Sequence, residues 1–217
     1  MTHDLKETRK ICLRLAHKAQ DGNLQSAFSS IDILWGLINK TMNDDDILIL
    51  SKGQATLALY AVLIQNGTYF EEEFDNIGKY GSQYSIQADV TKGLKGIHNS
   101  AGALGHGLPF ACGIALAKKV KKEKGNVFVL TGDGEFNEGT MWESILIANR
   151  FKLDNLCVIV DNNASHGLDI HKMIPGIEVI TTKRGSGCPS MMKGETWFHK
   201  APNDAELAAL CKEVDEQ

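Results

Sequence analysis

Apolar residues fall along this chain in two patterns, and each predicts a different element. In one they recur at helical spacing: Leu5, Cys12, Leu15, Ala16 and Ala19 predict a helix over residues 4–20. Comparable stretches predict helices over 31–40, 55–64, 105–122 and 137–150, and a last one from Asp204. In the other they form short unbroken runs: Ile47-Leu48-Ile49-Leu50, Val127-Phe128-Val129-Leu130 and Leu156-Cys157-Val158-Ile159-Val160. Bounded by turn residues, such a run suits a strand buried on both faces. A fourth strand is expected over 177–182, while 66–98, broken by glycines, tyrosines and acids, reads mostly as loop. Continuous strands alternating with amphipathic helices define an α/β fold, a doubly wound, mostly parallel sheet with helices on both faces.

Ligands of such sheets bind beyond the carboxyl ends of the strands. Three polar segments fall at that edge: Ser51-Lys52-Gly53-Gln54, Gly132-Asp133-Gly134 and Asp161-Asn162-Asn163. Glycine lets backbone approach a ligand closely, and the amides at a helix start favour a phosphate. An aspartate would repel a bare phosphate unless a divalent cation stood between them. Mg²⁺ takes oxygen ligands, commonly one or two protein groups together with phosphate oxygens. Asp133 offers a carboxylate and Asn163, thirty residues on, a carbonyl oxygen, and one βαβ crossover places them on neighbouring strand ends. Taken singly, each segment is equally an acidic or Asx-rich turn.

Composition narrows the classes. At 217 residues, 43% hydrophobic and 23% charged, the chain has the make-up of a globular protein with a full core. A net charge of −4 gives no footprint for nucleic acid or an anionic membrane. The basic run from Lys118 to Lys124 sits at a predicted helix end, where cations complement the dipole. Five cysteines form no C-x-x-C pair, and Cys12, Cys112 and Cys157 lie in apolar runs, a pattern suited to a reducing cytosol. No signal-peptide core or membrane-length apolar run is visible, so a cytoplasmic protein is expected.

The succession of motifs resembles the transketolase family of thiamine-diphosphate enzymes. "GDG" followed by "NN" is similar to its diphosphate-and-metal signature, and "SKGQATLALYAVL" to its S-x-G-H segment. "SAGALGHGLPFACGIALAKK" resembles its T-G-x-L-G-Q-G helix, and "NEGTMWESILIANRFKLDNLCVIVDNN" its E-G-x-x-x-E-A and L-x-N-L segments. "TTKRGSG" and "WFHKAPNDAEL" resemble its K-G-x-G and W-H-x-x-x-P-N elements, so the likeness runs in order from Asp4 to Asp215.

The resemblance implies a single diphosphate-binding domain over 1–217, the N-terminal part of a split transketolase-like enzyme that transfers a two-carbon ketol unit between sugars. It implies thiamine diphosphate with Mg²⁺ (or Ca²⁺ or Mn²⁺), the metal held by Asp133, Asn163 and the backbone carbonyl of Ser165. Gln54, Gly132, Gly134, Glu135 and Asn163 would line the diphosphate end, and Gly102 and Leu104 the aminopyrimidine ring. Glu138 and Glu143 match acids of the subunit-interface network around the cofactor. The pyrimidine-binding domain would come from a partner chain with the C-terminal transketolase domains, in a heterotetramer built on a dimer of this chain.

Several positions depart from the family. Its G-H-P near the N-terminus reads Gly22-Asn23-Leu24, the S-x-G-H histidine is Gln54, and the second G-H-P is matched by Gln87-Ala88-Asp89. Gln54 offers a hydrogen bond but neither charge nor proton. Only residues 164–180 separate Asn163 from the K-G-x-G element, an internal shortening that removes an edge strand and its cover. Histidines occur instead at His98, His106, His166, His171 and His199; His98 and His106 flank Gly102 and Leu104 and are candidates to touch substrate, or else to cap and pack. Two alternatives stay open: a subunit of a 2-oxoacid decarboxylase or acyloin synthase, and a non-catalytic binding remnant.

Overall fold

The structure, a computed structural model, describes residues 3–163, 170, 174, 177–194 and 196–217. In chain order its elements are α1 (His3–Ala19), α2 (Leu24–Gly36), β1 (Ile47–Leu50), α3 (Thr56–Gln65), α4 (Gly107–Lys121), β2 (Val127–Gly132), α5 (Gly139–Phe151), β3 (Leu156–Asn162), β4 (Glu178–Thr181) and α6 (Asp204–Asp215). They fall into two compact units. One takes Met1–Thr41, Gln54–Gln87 and Lys183–Gln217; the other takes Met42–Gly53 and Ala88–Thr182. Among the described residues no helix is long and apolar enough to cross a membrane.

The first unit is helical. α1 and α2 pack on α3, and Leu13, Leu15, Phe28, Ile31, Leu34 and Leu57 on these helices are all buried. α2 begins seven residues before the expected start at residue 31. Ser29 and Ser30, just before the expected start, lie inside the helix and donate their hydroxyls back to the Ser26 carbonyl at 3.0 and 3.2 Å. The start is Asn23, whose side-chain oxygen accepts from the Ser26 N–H at 3.1 Å. A π-turn, Leu37–Thr41, closes that segment. Buried Arg9 on α1 grips Asp32 through both carboxylate oxygens at 2.9 Å and donates to the Ser186 carbonyl at 2.9 Å, pinning the glycine-rich loop. α6 opens where expected, on a reciprocal cap between Asn203 and Glu206.

The second unit carries the sheet: among the described residues, four parallel strands in the order β1-β2-β3-β4. Leu50 stands opposite Leu130, Leu130 opposite Ile159, and Gly132 opposite Asp161. β1 has the expected bounds, and β2 runs two residues further than expected, through Thr131 and Gly132. Every residue of β2 is buried, so both of its faces are covered, as its unbroken apolar run requires. On one face Ile49, Val127, Val129 and Val160 pack with Leu108, Ala111 and Ala115 of α4 and Met141 of α5. β1 is an outer strand of the sheet, and Asn99 closes its free side: its amide accepts from the Leu50 N–H at 2.9 Å and donates to the Leu50 carbonyl at 3.0 Å.

The strand ends are tied together by buried charge. Lys52, just past β1, reaches Asp161 of β3 with an N···O distance of 2.6 Å, both side chains withdrawn from water. The Thr182 hydroxyl, just past β4, donates to the other oxygen of Asp161. Between them the lysine stem runs over Gly132, its Cδ 3.5 Å from where a β-carbon would stand. Removing one member of such a pair strands a charge in a poor solvent. Lys52→Met is therefore expected to destabilise the fold by about 3–5 kcal/mol, and pairing it with Asp161→Leu to recover much of that loss. Chemical denaturation of the single and double variants checks both.

Candidate functional site

The end of β2 organises the site. Gly132 leads into a tight turn, Asp133–Asn137, that hands the chain to α5. Asp133 is 3% exposed, Glu135 1% and Asn163 8%. Asp133 follows the residue that pairs with Asp161, and Asn163 lies two beyond Asp161, so adjacent strands deliver both to the same edge. Gly134, inside the turn, is half-buried. Ser165, with His166 and His171, lies outside the described residues. Among the described residues no group of three His, Cys, Asp or Glu stands ready to hold a metal, so a metal here would depend on amide, backbone or ligand oxygens besides Asp133.

Glu135 points inward. Its carboxylate accepts from the Ser51 hydroxyl at 2.5 Å, the Gly132 N–H at 2.8 Å and the Gly105 N–H at 2.9 Å. Burial pushes its carboxyl above the usual range, while those three donors and the Lys52 charge pull the other way. Ser51 in turn accepts from the Gly107 N–H at 3.2 Å, and a β-carbon on Gly107 would lie 2.3 Å from that of Ser51. The glycines of this segment thus let the turn before α4 lie directly on the end of β1.

That turn carries the ring-side candidates. Gly102 and Gly105 take positive φ angles of 140° and 76°. Gly102 and Leu104 are exposed. Thr140 donates its hydroxyl to the Gly105 carbonyl at 2.9 Å, and Glu138 leans so closely that a β-carbon on Gly105 would meet its own at 2.6 Å. The start of α5 and the ring-side turn are therefore one packed piece. Glu138 and Glu143 are both exposed on this segment. His106 is exposed at the entry to α4 and makes no side-chain cap. His98 is half-buried, with Nδ1 3.1 Å from the Leu48 carbonyl. A carbonyl only accepts, so Nδ1 carries a proton in this contact and Nε2 is the ring nitrogen left for other partners.

In the helical unit, Gln54 begins the turn into α3, and its Oε1 is buried without a hydrogen-bond partner. The Nδ2 of Asn23 is in the same condition, because the cap to Ser26 commits the other end of that amide. Both are polar atoms the chain itself does not satisfy, the condition of groups awaiting a ligand or water.

The sequence placed Ser51, Lys52 and Asp161 at the strand-end edge but did not show what each of them holds. A charged residue after a strand looks like any loop polar group, and Lys52 meets Asp161 109 residues away only through the sheet. The signal was position, since Ser51 and Asp161 adjoin unbroken apolar runs and Lys52 lies one residue further, where a polar side chain cannot easily escape the core.

Residues 33–170 match the family described as transketolase, thiamine diphosphate binding domain. The chain is 28% identical to an apulose-4-phosphate transketolase subunit of Actinobacillus succinogenes, over 96% of its length and 93% of the relative's. It is 30% identical to a 6-deoxy-6-sulfo-D-fructose transketolase subunit of a Clostridium species, over 75% of its length and 62% of that relative's. In fold it superimposes on the transketolase of Campylobacter jejuni with a TM-score of 0.83 and 17% identity, covering 99% of this chain and 43% of that one. The matched span contains the ends of β1, β2 and β3 and the turn that Glu135 holds, and on that ground the chain belongs to the transketolase family.

Proposed function

We propose that this chain, over its full 217 residues, is the diphosphate- and metal-holding subunit of a two-chain transketolase-like enzyme. It would move a two-carbon ketol unit from a ketose donor to an aldehyde acceptor. The observation that carries the reading is the pair of adjacent strand ends presenting buried Asp133 and Asn163 beside glycine turns. Asp133, Glu135 and Asp161 are all buried there while Lys52 supplies an ammonium, a balance that favours a divalent cation over a bare anion. Two relatives carry names of specialised sugar transketolase subunits, which supports a specialised sugar for this chain as well.

Thiamine diphosphate, when bound, supplies the electron sink for breaking a carbon–carbon bond next to a carbonyl. The chain's own residues hold and orient it. Asp133 and Asn163, with the Ser165 carbonyl, would take the metal; the Gly134 N–H would meet the diphosphate, with Gly132, whose own N–H is held by Glu135, letting the backbone approach; Gly102 and Leu104 would meet the ring. Asn23 and Gln54 stand where the family has histidines; the unpartnered Asn23 Nδ2 can donate to a ligand oxygen, whereas the unpartnered Gln54 Oε1 only accepts and would call for a donor such as a hydroxyl. His98 would accept a sugar hydroxyl at Nε2, and His106 would lie close by. Glu138 and Glu143 would join an interface network with a second chain. The outward faces of α4 and α5 support that association, since Phe110, Leu146, Ile147 and Phe151 are all exposed. A dimer of this chain flanked by two partner chains with pyrimidine-binding domains completes the proposed assembly.

Asp133→Ala is expected to abolish Mg²⁺-supported binding of thiamine diphosphate, and Asn163→Ala to weaken it less, because a neutral carbonyl binds a hard cation less strongly than a carboxylate. Titration calorimetry on the assembled complex decides, and an unchanged affinity in Asp133→Ala refutes the site. The isolated chain with thiamine diphosphate and Mg²⁺ is expected to show no ketol transfer from a panel of ketoses, and to gain it when the partner is added. Comparable turnover by the chain alone would overturn the two-chain reading.

A further inference from the structure

The three donors to Glu135 stand on three separate segments: Ser51 at the end of β1, Gly105 in the turn before α4, and Gly132 at the end of β2. The work is divided between its oxygens. Oε1 serves Ser51 and Gly105, and Oε2 serves Gly132. A carboxylate is the side chain that suits this place, because it offers acceptors at both ends and no donor. An amide would offer one acceptor and turn its NH₂ toward a backbone N–H, leaving a buried donor unmatched. Gly105 has little room to adjust, pressed on Glu138 and Thr140 at a φ of 76°, and Gly132 is in ordinary contact with the Lys52 stem.

We propose that Glu135 is a positioning residue that couples the turn bearing Gly102 and Leu104 to the turn bearing Asp133 and Gly134, so that a diphosphate seated at the second turn sets the geometry of the first. The inference rests on the functional reading above and goes beyond it. It takes Glu135 out of contact with the cofactor and gives it the task of transmitting occupancy from one end of the site to the other. Such transmission follows from the rigidity of the link: a single carboxylate bridging two backbone N–H groups cannot move toward one without leaving the other.

Amide hydrogen exchange on the full chain tests this, with inorganic pyrophosphate and Mg²⁺ as the probe. Without ligand, Glu135→Gln is expected to speed exchange at Gly132 or Gly105 roughly tenfold, for the loss of one buried acceptor. In the wild type, pyrophosphate with Mg²⁺ is expected to protect Gly134 directly and to slow Gly105 as well. In Glu135→Gln the protection at Gly134 persists and the response at Gly105 is lost. A carboxylate that merely braced the fold would change resting exchange and leave that response intact. Unchanged resting exchange in the variant, or an equal Gly105 response in both proteins, overturns the proposal. If the variant does not fold, the wild type decides alone: protection of Gly134 with no slowing at Gly105 overturns the coupling. Absence of pyrophosphate protection at Gly134 in the wild type refutes instead the diphosphate reading, and the resting exchange of the variant still judges the link between the turns.

Discussion

A lysine ammonium held out of water against an aspartate is the constraint on which the sheet-bearing unit depends. Lys52 and Asp161 would each be costly to bury alone, and together they satisfy one another only if the end of β1 crosses over β2 to reach β3. The Thr182 hydroxyl extends the tie to the end of β4. Strand ends of an open sheet are otherwise its loosest part, since the ladder of backbone hydrogen bonds stops there. Here they are fixed by the groups immediately beyond the ladder. Lys52 sits next to Ser51, so the same crossing turns the Ser51 hydroxyl to Glu135, and through Glu135 the glycine turns take their places. Charge burial at the base thus sets the accuracy of the surface above it.

How far the sequence shows this architecture depends on whether each feature is local. β1 and the start of α6 were legible to the residue, because an unbroken apolar run and a reciprocal cap are self-contained signals. The start of α2 was not. The expected start at residue 31 falls inside the helix, whose cap is Asn23, and the hydroxyls of Ser29 and Ser30 find a carbonyl within it. Asp133 and Asn163 were legible as strand-end residues because the apolar runs of β2 and β3 stop just before them. The direction in which Glu135 turns was not, since spacing along a chain says nothing of which backbone donors will converge on a side chain. Nor was the placement of His98, whose Nδ1 is engaged by a carbonyl of β1 and whose remaining nitrogen alone is left for other chemistry.

Asn23 and Gln54 show a different limit. Their identity as neutral amides was plain in the sequence, yet what gives them interest is a property of the fold. One end of Asn23 is committed to starting α2, which fixes the other as a donor, and one atom of Gln54 is buried without a match. A histidine in either place would change charge near neutral pH, whereas an amide reads its neighbour identically at every pH at which the protein is folded. Under the proposed role, any recognition by these two amides would be insensitive to acidity.

Asn99 has a consequence for the company the sheet keeps. By giving the N–H and the carbonyl of Leu50 their partners, its amide takes the place that a neighbouring strand would occupy. At that point β1 cannot template the backbone of another molecule. The opposite outer strand, β4, is protected by other means, with Glu178 and Thr181 exposed at its two ends. A charge on an outer strand repels its own copies and resists being dried by a stacked chain. Among the described residues, each outer strand thus carries a device that opposes edge-to-edge polymerisation, molecular mimicry at Leu50 on one side and the Glu178 charge on the other.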